Sequence, residues 1–451
     1  MRPMLVAALS ILLAGCTSLQ QAAPGRPGDP VAWTQYGLGE TPGLIARALV
    51  DRGDACPAIE WDGRVEQMTV RDPLRVDAFG KLCESRRPLD EALKVRVRMG
   101  STVLLDQQVT RKPERIAVMG DTGCRITFYF DQGCNESKTW PFAAVAASVA
   151  DKQPDLILHL GDYYYREAPC LASDTKCAPG PYGDREPSWR FEFFEPARPL
   201  LAKAPWVFAR GNHEDCQRGG YGWAYYFGDG VAACDTTHAT AFVRLNGLTV
   251  VNFDTAATGN RFLAKDMNRN WDDVARVLAA QPPATPGEPV LLMTHEPGYF
   301  VCTDKQSRLE PCKESTVGPI AGVRSIADAA RRSSRRTILL SGHLHAFRTL
   351  DVAPPSLGGR QSVTQVVVGT GGANQNEDPT PPDMVPPAVV DTRFYDTGHK
   401  AGLPIRVQGW TDFGFGMLSA SSLQLAMFDV QGRPKFTCAL AGETTAAPRC
   451  R

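Results

Sequence analysis

The sequence predicts a layered α/β domain preceded by a small β-rich domain. Three observations predict it. From Arg115 onward, short apolar runs of strand length alternate with amphipathic segments of helix length. Before Lys112 the apolar residues alternate or cluster as they do in strands. Five of the later runs end in a short polar motif, the placement by which α/β sheets gather side chains at one crevice.

Composition narrows what such a fold can do. The 451 residues are 43% hydrophobic and carry 49 basic and 49 acidic side chains. A formal charge of zero supplies no global field for collecting nucleic acid or an anionic membrane surface, so nucleic acid is not an expected partner and anion binding has to be local. The oligomeric state is left open.

In chain order, residues 1–15 have the pattern of an export signal: Arg2 at the positive end, an apolar stretch from Met4 to Leu13, and small Ala14 and Gly15 before Cys16. The run Leu13-Ala14-Gly15-Cys16 resembles a bacterial lipobox, whose cysteine is lipid-modified and becomes the first mature residue. That implies a chain held by a lipid at a bacterial membrane, facing the periplasm or the cell exterior. The alternative is a plain signal peptide cut near Ala22-Ala23, leaving a soluble periplasmic or secreted protein. No other stretch approaches the ~18 apolar residues of a membrane helix. Residues 16–30, rich in Gln, Ala, Gly and Pro, suit a flexible linker.

Residues 31–112 are expected as a β-rich accessory domain, with strands at Val65 to Val70, Lys94 to Met99 and Thr102 to Val109, and a helical turn around Pro42 to Val50. This segment holds no histidine and no clustered carboxylates. Residues 113–451 supply the α/β alternation. Strands are expected at Ile116 to Met119, Leu156 to Leu160, Trp206 to Ala209, Leu248 to Phe253, Val290 to Met293, Ile338 to Leu340 and Val363 to Val368. Helices are expected at Trp140 to Asp151, Trp189 to Lys203, Trp271 to Ala280 and Gly322 to Arg332. The Pro-, Asp- and Asn-rich stretch from Gly371 to Gly402 reads as a surface lid or loop.

Setting Cys16 aside leaves twelve cysteines. Nearest-neighbour pairing gives Cys56 with Cys83, Cys124 with Cys134, Cys170 with Cys177, Cys216 with Cys234, Cys302 with Cys312, and Cys438 with Cys450. Many other connectivities fit the same spacing, but adjacent pairs each close a single loop. No C-x-x-C spacing of a zinc site occurs, so the reading is disulfides and an oxidising compartment.

The five motifs are Gly120-Asp121-Thr122-Gly123, Gly161-Asp162-Tyr163-Tyr164-Tyr165, Gly211-Asn212-His213-Glu214, Met293-Thr294-His295 and Gly342-His343-Leu344-His345. Carboxylate and phenolate oxygens suit hard, highly charged metals, whereas imidazole suits first-row transition metals. The mixed set therefore favours a transition-metal pair over calcium or magnesium. Glycines before Asp121, Asp162, Asn212 and His343 are expected to permit the sharp turn that swings each ligand off its strand.

In this order the motifs resemble the metallophosphoesterase superfamily with its calcineurin-like fold, two β-sheets flanked by helices. Within it they resemble the purple acid phosphatases, whose pattern is G-D-x-G, G-D-x-x-Y, G-N-H-[DE], V-x-x-H and G-H-x-H. The likeness spans about Arg115 to Phe347, and Leu292 replaces the valine of the fourth motif. Ordinary calcineurin-like members carry a ligating histidine at the position of Gly123, which has no side chain to offer. Tyr165 stands where the purple enzymes place a phenolate, and an anionic phenolate stabilises ferric iron better than neutral imidazole does.

The resemblance implies that Asp121, Asp162, Tyr165 and His345 hold Fe(III). It also implies that Asp162 bridges to a second, divalent metal (zinc, iron or manganese), completed by Asn212, His295 and His343. The implied reaction is hydrolysis of small phosphate monoesters by a metal-bound hydroxide, an acid phosphatase with no phosphoenzyme. Phospholipid or nucleotide phosphodiesters are the alternative substrates. His213 would act as general acid or hydrogen-bond donor over the leaving group, with Glu214 orienting it. A binding module that had abandoned the chemistry would have lost ligands, and here every position is filled.

Other polar residues have plainer readings. Tyr163 and Tyr164 alternate in direction on an extended segment, so they do not all face the metals. His159 is expected as a hydrogen-bonded core residue, His238 and His399 as exposed, and the run Arg331, Arg332, Arg335 and Arg336 as a solvated helix end. Lys305, Arg308 and Lys313 are candidates for contacting an anionic group of the substrate.

Overall fold

The structure, a computed structural model, describes residues 28–38, 43–88, 93–126, 131–229, 234–235, 240–256, 276, 287–297, 301–303, 309–311, 336–352, 363–374, 389–394, 403–440 and 449–451. Two large sheets dominate them. The first has eleven strands in the spatial order Arg449–Cys450, Pro434–Ala439, Gln424–Asp429, Gly414–Ser419, Arg115–Met119, Leu156–His159, Trp206–Phe208, Val31–Tyr36, Leu44–Val50, Lys81–Arg87 and Thr69–Val70. The second has eight, in the order Ala241–Leu245, Leu248–Asn252, Pro289–Met293, Arg336–Ser341, Val363–Val368, Phe347–Val352, Leu403–Trp410 and Val389–Phe394.

Strand parity explains how the layers stack. Ile116, Val118, Leu156, Leu158 and Val207 share one core with Val250, Leu291, Leu340 and Val366 of the second sheet. Their neighbours Ala117, Met119, Ile157, Trp206 and Phe208 point the other way, onto Phe142, Val145 and Val149 of the helix Phe142–Asp151 and onto Phe193, Ala197 and Leu200 of the helical run 186–201. Strands buried on both faces read as continuous apolar runs, which is why these central strands stand out in the sequence. Each such side chain contributes about 1.5–3 kcal/mol, so a charge at Val118 would break the seam on which the site is built.

The β-rich region is present, and its strands divide between two sheets. Ala58–Trp61, Arg64–Gln67, Leu93–Met99 and Thr102–Val109 make a four-stranded sheet of their own. Val31–Tyr36, Leu44–Val50, Lys81–Arg87 and Thr69–Val70 instead extend the first large sheet, with Gln35 in parallel register with Trp206. The helical turn expected around Pro42 to Val50 is corrected to a strand: Leu44–Val50 runs antiparallel between two neighbours with all seven residues buried. Burial on both faces erases the period-two alternation, leaving an apolar run whose type periodicity cannot assign. This extension is locked down by Arg47, which donates to the carbonyls of Tyr226 and Gly228, and by Arg71, which donates to those of Ala224 and Tyr225. Both cations sit at the C-terminal end of the helix Gly220–Tyr226, where the dipole favours them.

Disulfides join Cys56 to Cys83, Cys124 to Cys134, Cys170 to Cys177, Cys216 to Cys234 and Cys438 to Cys450. Such bonds belong to an oxidising compartment, as in exported proteins. Cys312 of the Cys302–Cys312 pair, the lipobox with Cys16, all but residue 276 of the helix expected at Trp271 to Ala280, the helix expected at Gly322 to Arg332, His238, His399, Lys305, Arg308, Lys313 and most of the loop from Gly371 lie outside the described residues. Among the described residues no helix is long and apolar enough to cross a membrane.

Candidate metal centre

Register brings the motifs together. Arg115–Met119, Leu156–His159 and Trp206–Phe208 are parallel, with Met119 beside His159 and His159 beside Phe208, so Asp121, Asp162 and Asn212 leave three neighbouring strand ends side by side. In the facing sheet Pro289–Met293 and Arg336–Ser341 are likewise parallel, and they deliver His295, His343 and His345 to the same seam. Asp121, Asp162 and His343 adopt left-handed backbone angles, φ 56°, 58° and 71°. Aspartate and histidine tolerate that region better than most residues, and each such position stores about 1–3 kcal/mol that the surrounding fold must hold in place. The ligands therefore make the turns themselves. Of the four preceding glycines only Gly161 has a positive φ, 95°. The others supply space: a Cβ on Gly342 would stand 2.5 Å from Asp121 Oδ2, and one on Gly120 3.0 Å from Leu160 Cβ.

The seven side chains form two clusters joined at Asp162. In the first, Tyr165 Oη lies 2.8 Å from Asp162 Oδ2, 3.4 Å from Asp121 Oδ1 and 2.9 Å from His345 Nε2, while His345 Nε2 is 3.5 Å from Asp121 Oδ1. In the second, His295 Nε2 is 3.2 Å from Asp162 Oδ2 and 2.9 Å from Asn212 Oδ1, and His343 Nδ1 is 3.0 Å from the same amide oxygen. Donor atoms of Asp121, Asp162 and His345, and of Asp162, His295 and His343, lie within 4.8 Å of one another, a spacing that one cation can span.

Outer contacts aim the donors inward. His295 Nδ1 lies 2.8 Å from the Leu160 carbonyl and His345 Nδ1 2.7 Å from that of Asn374, so each ring is anchored through Nδ1 and turns its Nε2 to the cluster. The His343 amide donates to Asp121, and the His213 amide to Asp162 Oδ1 at 3.0 Å. Burial pushes the Asp121 carboxyl up to about 8 against the pull of His295, with Asp162 adding to the push. Burial opposes ionisation of Asp162 too, but His295 and His213 hold it well below the usual carboxylate range. Burial also works to lower His295, and the Asp162 and Asp121 charges lift it to about 10. Burial and the same two carboxylates push the Tyr165 phenol well above its ordinary value, and burial drops His343 to about 3 and His345 to about 4. Without metal the cage is thus balanced by protons on Asp121, Tyr165 and His295, the positions a cation would take over.

His213 stands beside this cage, its ring 4.0 Å from that of Tyr165. Its Nδ1 is 2.6 Å from Glu167 Oε1, a partner that the sequence reading missed and that Arg218 approaches at 3.8 Å. Glu214, expected to orient His213, does something else. It is buried and accepts from the amides of Tyr163 (2.8 Å), Tyr164, Asp162 and Gly211, bracing the loop that carries Asp162. Tyr163 and Tyr164 are buried, donating to the carbonyls of Ala209 and Arg166. His159 is a buried core residue, its Nε2 2.9 Å from Thr122 Oγ1 and its ring stacked on Tyr163.

Two facing sheets with paired donor clusters at their strand ends define a metal-dependent phosphoesterase. Residues 114–347, just over half of the chain, match the calcineurin-like phosphoesterase family, and the chain belongs to it. Among solved structures it is similar to a purple acid phosphatase from yellow lupin (Lupinus luteus) seeds, at 14% identity and TM-score 0.56 over 94% of this chain and 74% of that one. It is also similar to PhoD, at 11% identity and TM-score 0.58 over 95% of this chain and 93% of that one. At these identities the likeness is one of fold. No curated protein matches the chain.

Proposed function

We propose that the chain is an acid phosphatase of the purple type that hydrolyses phosphate monoesters outside the cytoplasm, held to a membrane by a lipid on Cys16. The observation that carries the subtype is the seating of Tyr165 among the donors beside a position that has no room for a side chain. A Cβ on Gly123 would stand 2.6 Å from the Tyr165 ring and 2.8 Å from both Glu192 Oε1 and the Tyr163 carbonyl oxygen, so the packing that seats Tyr165 leaves no space for a histidine at 123. The donor set fits a mixed-valence pair. Asp121, Asp162, Tyr165 and His345 would hold the ferric ion, with up to three anionic oxygens; Asp162, Asn212, His295 and His343 would hold the divalent one.

When bound, such a pair supplies Lewis acidity toward phosphoryl oxygens and water. The chain's own residues do the rest. Asp162 keeps the two clusters in register through its shared carboxylate. His213, its Nδ1 engaged by Glu167, keeps Nε2 available to give a proton to the departing oxygen. Asn212, His213 and His343 are half-buried whereas Asp121, Tyr165 and His345 are buried, so substrate is expected to enter over the second cluster.

Colour tests the subtype: iron-loaded protein should show a visible charge-transfer band that Tyr165→Phe abolishes, and an unchanged band rejects the phenolate. Comparing p-nitrophenyl phosphate with its bis ester tests the substrate class. Preference for the bis ester moves the assignment to a phosphodiesterase. Cys16→Ser should release the protein from the membrane fraction, and an unchanged distribution rejects the anchor.

A further inference from the structure

The loop carrying Asp162 and Tyr165 gives its inward-facing amides to side chains. Four consecutive N–H groups, from Asp162 to Tyr165, are taken by two buried carboxylates. Glu214 accepts from Asp162, Tyr163 and Tyr164, at 2.8–3.0 Å. Glu192 accepts from Tyr165 at 3.0 Å. The same Glu192 Oε1 also accepts from the Cys124 amide at 2.6 Å, three residues after Asp121. Each glutamate thus ties the loop to a different neighbour, because Glu214 further accepts from Gly211, next to Asn212.

Glu192 is fully buried within a helical run, where a charged residue is costly unless partnered. It sits on the π-turn Arg190–Phe194, a local widening of a helix that recurs at functional sites. Arg166, whose guanidinium stacks 4.1 Å from the Phe191 ring, is the cation that offsets its charge. A carboxylate so placed has no packing value that an apolar side chain would not exceed; what it supplies is acceptor capacity for the turns holding Asp121 and Tyr165.

We propose that Glu192 is a positioning residue for the cluster of Asp121, Tyr165 and His345, and that Glu192 and Glu214 divide the loop, one for each side of Asp162. The metal arm of this proposal rests on the two-cluster reading above; the backbone arm does not.

The test is amide hydrogen exchange resolved to single residues, on the full chain stripped of metal by chelation. Wild type should be slow from Asp162 to Tyr165. Glu192→Ala should speed Cys124 and Tyr165 by at least about tenfold while 162–164 stay slow, Glu214→Ala should do the reverse, and Glu192→Gln, which keeps the accepting oxygen, should restore Tyr165 and Cys124. If Glu192→Ala does not fold, Glu192→Asp should show the same selective loss. Equal acceleration of all four amides together with the flanking strands, or a Tyr165 amide that stays slow in Glu192→Ala, overturns the proposal. In the metal arm, Glu192→Ala should bind one metal fewer per chain than wild type, and Glu192→Gln should bind the full complement. A wild type that binds none counts against the metal-centre reading, and the exchange pattern then decides the role of Glu192 alone.

Discussion

The two donor clusters share Asp162 and diverge from there. Asp121, Tyr165 and His345 add two oxygens and one nitrogen in a fully buried setting, whereas Asn212, His295 and His343 add one neutral oxygen and two nitrogens, with Asn212 and His343 only half-buried. The first cluster keeps two ionisable oxygens away from water, protonated without metal and anionic once a cation displaces the protons, and so suits a highly charged cation. The second is close to neutral and borders the entry, beside His213. One site is built to hold, the other to receive.

Asp162→Ala should break both clusters together, with loss of both metals and hydrolysis falling to background. Retention of one metal with its activity would show that the clusters are independent. His213→Ala should cut kcat by about 10²–10⁴-fold with metal content unchanged; a loss of metal instead would make His213 part of the second cluster. Glu167→Gln should cost about 10–100-fold in activity, again without metal loss, and an effect as large as that of His213→Ala would mean that Glu167 does more than hold the ring.

The smallest effect concerns pH. In metal-free protein Asp121, Glu192 and Glu214 are pushed up to about 8 from ordinary values of 3.8 and 4.5, so the folded chain holds protons that the unfolded chain has lost. Their stabilisation is present on the acid side and is lost as pH rises through about 8. The lowered His159, His343 and His345 oppose this only below 6.5, their ordinary value. The melting temperature after chelation should therefore fall between pH 6.5 and 8. Metal binding at Asp121 should flatten part of that slope, and a melting temperature that rises over the same interval contradicts the burial argument.

What was legible in the sequence follows the physics of each element. The central strands were legible because burial on both faces makes them uninterrupted apolar runs, and the seven cage residues because each stands just past such a run. Leu44–Val50 was not, since an apolar run flanked by Pro and Gly fits a helical turn as well as a strand. The split of the β-rich region depends on which sheet edge a strand meets, and no local pattern encodes that. Glu167 lies two residues past Tyr165 and only the fold turns it toward His213. Glu192 lies 27 residues beyond Tyr165 in an ordinary-looking helix, where no spacing marks its contact with Cys124.

The central claim is that seven side chains make one cage for two cations, joined through Asp162. Metal counted per folded chain by elemental analysis tests it most directly: two equivalents in wild type, fewer than one in Asp162→Ala, and no hydrolysis after complete chelation. Phosphoester hydrolysis that survives chelation, or a metal content that Asp162→Ala leaves unchanged, would contradict it.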